Sequence, residues 1–333
     1  MREPRFWARD VDPRSREAAP MMRLLLTPIA WLYGEVTRRK IAAAEPLKVR
    51  PKIICIGNLT AGGVGKSPIV AALREHFEDA FDLRVATLSR GYKGKLTGPL
   101  RVDVNLHSAQ DVGDEPLMLA AAGETWIGAD RAATGQMMSN DGVDIVIMDD
   151  GHQNPGLFKD FTMIVVDATA GFGNGYVIPK GPLREPVLRG LERSDAVIVM
   201  GDGDPPAILG DVDIPMFRAR IVPIDAPASQ PYVAFAGIGR PEKFFDTLTE
   251  MGVDLRDAVP FPDHHTYTAG DLDYLRRLAL DHHAKLITTE KDYVRLSADQ
   301  RDEIVTLPIR VEFDRKEDLD RLLANVIKPQ PDE

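Results

Sequence analysis

Lys52-Ile53-Ile54-Cys55-Ile56-Gly57-Asn58-Leu59-Thr60-Ala61-Gly62-Gly63-Val64-Gly65-Lys66-Ser67 is the stretch on which the reading of this chain turns. Ile53 to Ile56 is a short apolar, β-branched run of the kind that forms a buried strand. A glycine-rich loop follows, then Gly65-Lys66-Ser67, then apolar residues at helical spacing (Ile69, Val70, Leu73, Phe77). Strand, glycine loop, Gly-Lys-Ser and helix make a P-loop. Glycines let backbone N–H groups turn inward around phosphate oxygens. The helix start adds free N–H groups and the positive end of its dipole. The loop Thr60, Ala61, Gly62, Gly63, Val64, Gly65, Lys66 and Ser67 is therefore the candidate nucleotide site. Lys66 is placed to reach the β/γ-phosphates and the Ser67 hydroxyl to ligate Mg²⁺. Thr60 occupies the first loop position, where glycine is usual.

The chain has 333 residues, enough for one large or two ordinary domains. Its 44% hydrophobic and 28% charged content is that of a soluble globular protein. The one cysteine, Cys55, lies inside the apolar strand, which excludes a disulfide framework and a cysteine zinc site. A net charge of −10 argues against general affinity for nucleic acid. The charge is uneven: residues 1–50 hold eleven Lys/Arg and six Asp/Glu, a balance of +5, leaving −15 for the rest.

Residues 1–20 are polar, contain Pro4, Pro13 and Pro20, and read as a loose arm. Met21 to Tyr33 is strongly apolar but too short for a bilayer span, which needs ~20 residues. Trp31 and Tyr33 beside Arg38-Arg39-Lys40 suit an amphipathic helix, over 21–45, lying in the headgroup region of an anionic leaflet. The same pattern also suits a helix packed on the domain core. Further strands are expected over Leu83–Leu88, Val143–Met148, Met163–Val166 and Ala196–Met200, with helical patterns between. This alternation implies a doubly wound, mostly parallel sheet over 46–205. A run broken by Pro205, Pro206, Pro215, Pro223 and Pro227 reads as a linker over 206–230. A second, smaller α/β domain is expected over 231–333, with strands at Tyr232–Ile238 and Leu286–Thr289 and helices at Pro241–Met251 and Leu319–Ile327.

Candidate ligands sit at strand ends. Val143–Met148 runs into Asp149-Asp150-Gly151-His152-Gln153, a Walker B arrangement in which Asp149 holds Mg²⁺. The second strand ends in Ser89-Arg90-Gly91-Tyr92-Lys93, either a ligand loop or an exposed basic turn. Asp114 and Glu115 begin an apolar helix, where capping is the ordinary role. His264 lies in a polar loop, Phe261-Pro262-Asp263-His264-His265, and His282-His283 reads as solvent-facing within a helix.

Taken in order, these pieces resemble the tetraacyldisaccharide 4'-kinase family of lipid A biosynthesis. The resemblance rests on Gly57–Thr60 leading into the P-loop, Ser89–Tyr92, Gly113–Pro116, Asp149–Gly151 with Gln153, Gly181–Pro186, Phe235–Pro241, Phe261–His265 and Thr288–Asp292. It covers roughly residues 20 to 327. The family accepts a small non-glycine residue at the Thr60 position. Asn154, where a histidine is expected, and Lys180, where alanine is expected, depart from its pattern.

The resemblance implies an ATP- and Mg²⁺-dependent kinase that phosphorylates the 4'-hydroxyl of an acylated disaccharide 1-phosphate. It implies a peripheral protein on the cytoplasmic face of the bacterial inner membrane, with no obligate protein partner. Asp114 becomes the catalytic base, paired with His264, and Lys66 acts on the γ-phosphate. Arg90, Asp150, Gln153 and Arg184 are candidates for substrate, metal or positioning. Two rivals use the same nucleotide loop: a switch or metal-delivery NTPase acting through a protein partner, and a soluble small-molecule kinase.

Overall fold

The computed structural model describes residues 4–12 and 14–328. The run Ile53–Ile56 is buried throughout and forms β1 (Lys52–Gly57). After it, in chain order, come β2 (Val85–Ser89), β3 (Leu100–Arg101), β4 (Thr125–Ile127), β5 (Ile145–Asp149), β6 (Phe161–Asp167), β7 (Ala196–Met200) and β8 (Met216–Pro223). These join β13 (Ile309–Phe313) in a nine-stranded sheet of order β13-β8-β7-β6-β1-β5-β2-β4-β3. Only the two edge pairs, β13 with β8 and β3 with β4, are antiparallel. Because β1, β2, β5, β6 and β7 are buried on both faces, they read as largely apolar runs.

The helix after the nucleotide loop, Lys66–Phe81, buries Ile69, Val70, Leu73 and Phe77 on one face of this sheet. On the other face Leu59, Ile164, Val166, Leu183 and Leu191 form a second core. The chain order reverses on either side of β1, which places a crevice at the C-terminal ends of β1, β5 and β2. The second lobe is a four-stranded parallel sheet of order β10-β9-β11-β12, from β9 (Tyr232–Ala236), β10 (Leu255–Pro260), β11 (Lys285–Thr289) and β12 (Ile304–Leu307).

Three boundaries differ from the sequence expectation. The proposed linker 206–230 contains β8, which pairs in parallel with β7; its flanking prolines, Pro215 and Pro223, sit only at the strand's limits, where a missing N–H does no harm. The second lobe does not run to the C-terminus. β13 returns to the first sheet, and the helix Lys316–Ile327 buries Leu319 and Leu323 in the first lobe's core. Amphipathic spacing marks that helix but not the lobe it covers. The arm is not loose where it is described. Trp7 Nε1 donates to the Pro179 carbonyl at 3.1 Å, and Asn174 donates from its backbone to Trp7 O at 2.7 Å and from its side chain to Phe6 O at 2.8 Å. Residues 1–3 and Pro13 lie outside the described residues.

The N-terminal helix spans Pro20–Ala42 and buries only Ala30. Leu24, Leu25, Ile29, Trp31, Leu32 and Val36 are exposed on more than one side, so it is not a core-packed element. Its apolar and basic parts are separated along its length rather than between two clean faces. No helix among the described residues is long and apolar enough to cross a membrane. His282 and His283 are exposed, just past the helix Ala269–Asp281 rather than within it.

Candidate active site

The nucleotide loop is held from outside. Asn58 Nδ2 donates to Thr60 O at 2.8 Å and to Gly62 O at 3.4 Å. Ala61 N donates to Pro182 O at 2.7 Å, and Arg184 N to Leu59 O at 2.8 Å, so the Gly181–Pro186 segment braces the first half of the loop. Thr60 forms an antiparallel bridge with Leu183, and this pairing needs no glycine. Gly65, at φ +83°, starts the Lys66–Phe81 helix without a side-chain cap. The helix's first N–H groups are thus left for an anion.

Lys66 Nζ lies 3.4 Å from Asp150 Oδ1, which also accepts from Arg184 Nη1 at 2.8 Å. Burial pushes the Asp150 carboxyl up, but the charges of Lys66 and Arg184 outweigh it and hold the group below the usual carboxylate range. Asp150 occupies the left-handed region, φ +53°, directly after β5. Gln153 Nε2 donates to Asn58 O at 3.1 Å and to Glu185 Oε1 at 3.0 Å, tying the Asp-Asp-Gly turn to the nucleotide loop. Arg90 follows β2 at the same sheet edge and is exposed.

Asp149 ends β5 at 1% exposure, and its Oδ1 has no hydrogen-bond partner among the described residues. Burial, then the nearby charge of Glu115, push its carboxyl up to about 7 against the pull of Lys66. A buried carboxylate without a donor, beside a P-loop serine, fits a hard divalent cation. The described residues contain no group of three or more His, Cys, Asp or Glu that would hold a metal alone. Ser67 and Asp149 therefore fit Mg²⁺ completed by phosphate oxygens and water, its ordinary mode of binding.

Asp114 is the first residue of the helix Asp114–Ala122. Gly113 before it has φ +92°, and a Cβ there would sit 2.5 Å from Tyr92 O, so this turn requires glycine. The turn aims Asp114 at the second lobe. Its Oδ2 is 2.7 Å from His264 Nδ1 and accepts from Arg295 Nε at 2.7 Å. Burial raises the Asp114 carboxyl, but the His264 hydrogen bond and the Arg295 charge prevail and bring it down to about 2. A carboxylate that stays ionised accepts, so His264 Nδ1 carries the proton in this pair. His264 is itself left-handed, φ +61°, with its N–H on Gly237 O at 3.0 Å. Next to Asp114, Glu115 Oε1 accepts from Lys291 Nζ at 3.0 Å.

The structure thus brings together Lys66, Asp150, Gln153 and Arg184 around the nucleotide loop, and Asp114 with His264 across the lobes. Sequence reasoning missed Arg295, Lys291 and Glu185. Lys291 and Glu185 lay inside motifs already quoted, and Arg295 lies three residues after Asp292, a spacing that marks an ion pair on a helical turn. It also missed Arg131, a buried cation after β4 whose charged form is disfavoured by burial and then by Arg90. Asp167, at the end of β6, is a second point of contact between lobes; it accepts from Arg240 and Lys243.

Comparison with known proteins gives the family and the fold. The profile of the family described as Tetraacyldisaccharide-1-P 4'-kinase matches residues 22–328. A Tetraacyldisaccharide 4'-kinase from Hyphomonas neptunium is 54% identical over 328 residues, 98% of each chain. One from Maricaulis maris is 46% identical over 339 aligned positions, covering 100% of this chain and 98% of that one. The fold matches a solved structure of LpxK from Aquifex aeolicus in complex with ATP, with a TM-score of 0.74 and 24% identity over 92% of this chain and 100% of that one. On the profile match and these identities, the chain belongs to the tetraacyldisaccharide-1-P 4'-kinase family.

Proposed function

We propose that this chain transfers the γ-phosphate of ATP to the 4'-hydroxyl of a tetraacyl disaccharide 1-phosphate, giving the bis-phosphorylated lipid A precursor. The observation that carries the reading is the 2.7 Å contact between Asp114 of the nucleotide-binding lobe and His264 of the second lobe. A sugar hydroxyl must lose its proton as it attacks, and an Asp–His couple beside a P-loop supplies a proton acceptor near neutral pH. Lys66 and the loop amides bind and orient the phosphates. Mg²⁺ on Ser67 and Asp149 supplies neutralising charge for them when bound. Arg184 holds Asp150 beside Lys66, and Gln153 fixes that turn to the loop. Arg90 stands at the same edge as a cation for an anionic acceptor.

The acceptor is acylated and anionic, and so is the membrane that contains it. The N-terminal helix, apolar at its start and basic at Arg38-Arg39-Lys40, suits the headgroup region on the cytoplasmic face of the inner membrane. A switch or metal-delivery NTPase would have no use for an acid–imidazole couple built across two lobes. The test is transfer of labelled γ-phosphate to a tetraacyl disaccharide 1-phosphate, with product analysis. Phosphate release that ignores this acceptor would favour the NTPase reading.

A further inference from the structure

Arg295 is 4% exposed and makes contacts in both lobes. Its Nη1 donates to Gly237 O at 2.7 Å and to Asp292 Oδ1 at 2.6 Å, both in its own lobe. Its Nε donates to Asp114 Oδ2 in the other lobe at 2.7 Å. Asp292 is fully buried and also accepts from Gly237 N at 3.0 Å, from the Tyr267 hydroxyl at 2.8 Å and from Thr289 Oγ1 at 2.7 Å. The second lobe thus fixes one end of the guanidinium in a saturated hub. Of the contacts just given, Asp114 is the one that comes from across the cleft. Nη2 is buried and has no partner among the described residues. A buried guanidinium is expensive unless its donors are met; Asp292 meets Nη1, and Asp114 is the carboxylate drawn to Nε on the other side of this socket.

The groups facing Asp114 are few. From the loop before the helix Ala269–Asp281 come His264 and, 3.7 Å beyond its Nε2, Asp263. From the turn after β11 come Arg295 and Lys291, the latter neutralised by Glu115. Both close donors take Oδ2, and no hydrogen bond from the described residues occupies Oδ1. Asp114 is therefore held with one oxygen fixed and the other free.

Resting on the kinase reading above, we infer that Arg295 is a positioning residue for phosphoryl transfer: it draws Asp114 onto the second lobe, fixes Oδ2 and leaves Oδ1 and the His264 ring to face the acceptor hydroxyl. The proton-accepting couple is then complete only while the lobes are together. In the step it serves, the acceptor O–H proton passes to the couple as oxygen bonds to the γ-phosphorus. The bond from that phosphorus to the β,γ-bridging oxygen breaks, and its electron pair leaves with ADP.

The test uses the full chain with ATP, Mg²⁺ and the tetraacyl acceptor. Arg295→Ala lowers kcat by about 10²-fold, the order expected for a misplaced catalytic group, while ATP affinity is unchanged. The acid limb of its kcat–pH profile moves to higher pH, because a cation that favoured the ionised couple is gone. Guanidinium ion added to Arg295→Ala restores part of the rate. Arg295→Lys, which keeps a cation in the socket and guards against a folding failure, retains more activity than Arg295→Ala. A normal kcat in Arg295→Ala, or a lower kcat with an unmoved acid limb and no guanidinium rescue, overturns the inference. If Asp114→Ala is slow while Arg295→Ala is normal, only this inference falls. If Asp114→Ala transfers phosphate at the wild-type rate, the base role of Asp114 falls with it; if the unaltered protein passes no labelled γ-phosphate to the tetraacyl acceptor, the kinase reading itself falls.

Discussion

Asp149→Asn separates the stability of the site from its chemistry. The Asp149 carboxyl is 1% exposed, unpartnered at Oδ1, and raised to about 7 from the model-peptide value of 3.8. A carboxyl raised on folding binds more protons in the folded than in the unfolded chain between those two values. Stability is therefore lost as pH rises from about 4 to 7, and the full cost is about 4 kcal/mol above that range. Less than half of that cost is present at pH 5, so about 3 kcal/mol accrues between pH 5 and pH 8. Asparagine does not titrate. Its own unpaired amide costs about 1–3 kcal/mol, but that cost is the same at both pH values. Without metal or nucleotide, the stability of the variant relative to wild type should therefore improve by about 3 kcal/mol from pH 5 to pH 8. At about 2.1 cal/mol/K per residue of unfolding entropy, that is about 4 °C in melting temperature. Calorimetry at the two pH values measures it, and γ-phosphate transfer by the variant should be lost. A stability difference that stays flat between pH 5 and pH 8 would refute the argument that Asp149 is a charge waiting for a cation.

Lys66→Ala should abolish turnover, since no other side chain in the loop carries charge to the phosphates; a wild-type rate removes the P-loop role. Asp114→Ala should lower kcat by about 10²–10⁴, the range for loss of a general base, with ATP binding preserved in equilibrium titration. Replacing exposed Leu25 and Ile29 together by Glu withdraws two apolar side chains worth about 1.5–3 kcal/mol each when buried. Affinity for anionic vesicles should fall by about 10²-fold or more in sedimentation, while transfer to detergent-dispersed acceptor persists. Gly151→Ala would place a Cβ 1.9 Å from Met148 Sδ, and overpacking of this kind should cost about 1–3 kcal/mol in denaturant unfolding.

Much of the first lobe was legible because its signals are local. The apolar runs of β1, β5 and β7 are buried on both faces, so each strand is continuous in sequence, and the loop after β1 declares its own conformation through its glycines. Asp149 was legible because it ends such a run. Asp114 was not legible from its surroundings, which suit a helix cap equally well; its role came from the resemblance, and its geometry depends on a partner 150 residues away. Arg295 was invisible for the same reason, since its function lies in a contact across the cleft. The assignment of β8, β13 and the helix Lys316–Ile327 to the first lobe also escaped, because edge pairing is decided by distant backbone, not by the spacing of Leu319 and Leu323. The docked arm escaped because its anchors, Trp7 O, Phe6 O and the Trp7 indole N–H, pair with Asn174 and the Pro179 carbonyl far along the chain, which no local pattern announces.

The return of the chain to the first sheet makes the second lobe an excursion inside a hairpin. β8 and β13 lie side by side, and Ile224 N donates to Pro308 O at 2.9 Å where the excursion leaves and rejoins. Two neighbouring tethers at one sheet edge therefore carry the whole lobe that brings His264 and Arg295 to Asp114. The same arrangement offers a place to cut. Joining residue 224 to residue 308 by a short turn would close the hairpin and keep the terminal helix on its core. It would leave a miniature that retains the phosphate cradle, Asp149 and Asp114 but has neither His264 nor Arg295 to complete the couple that takes the proton from a sugar.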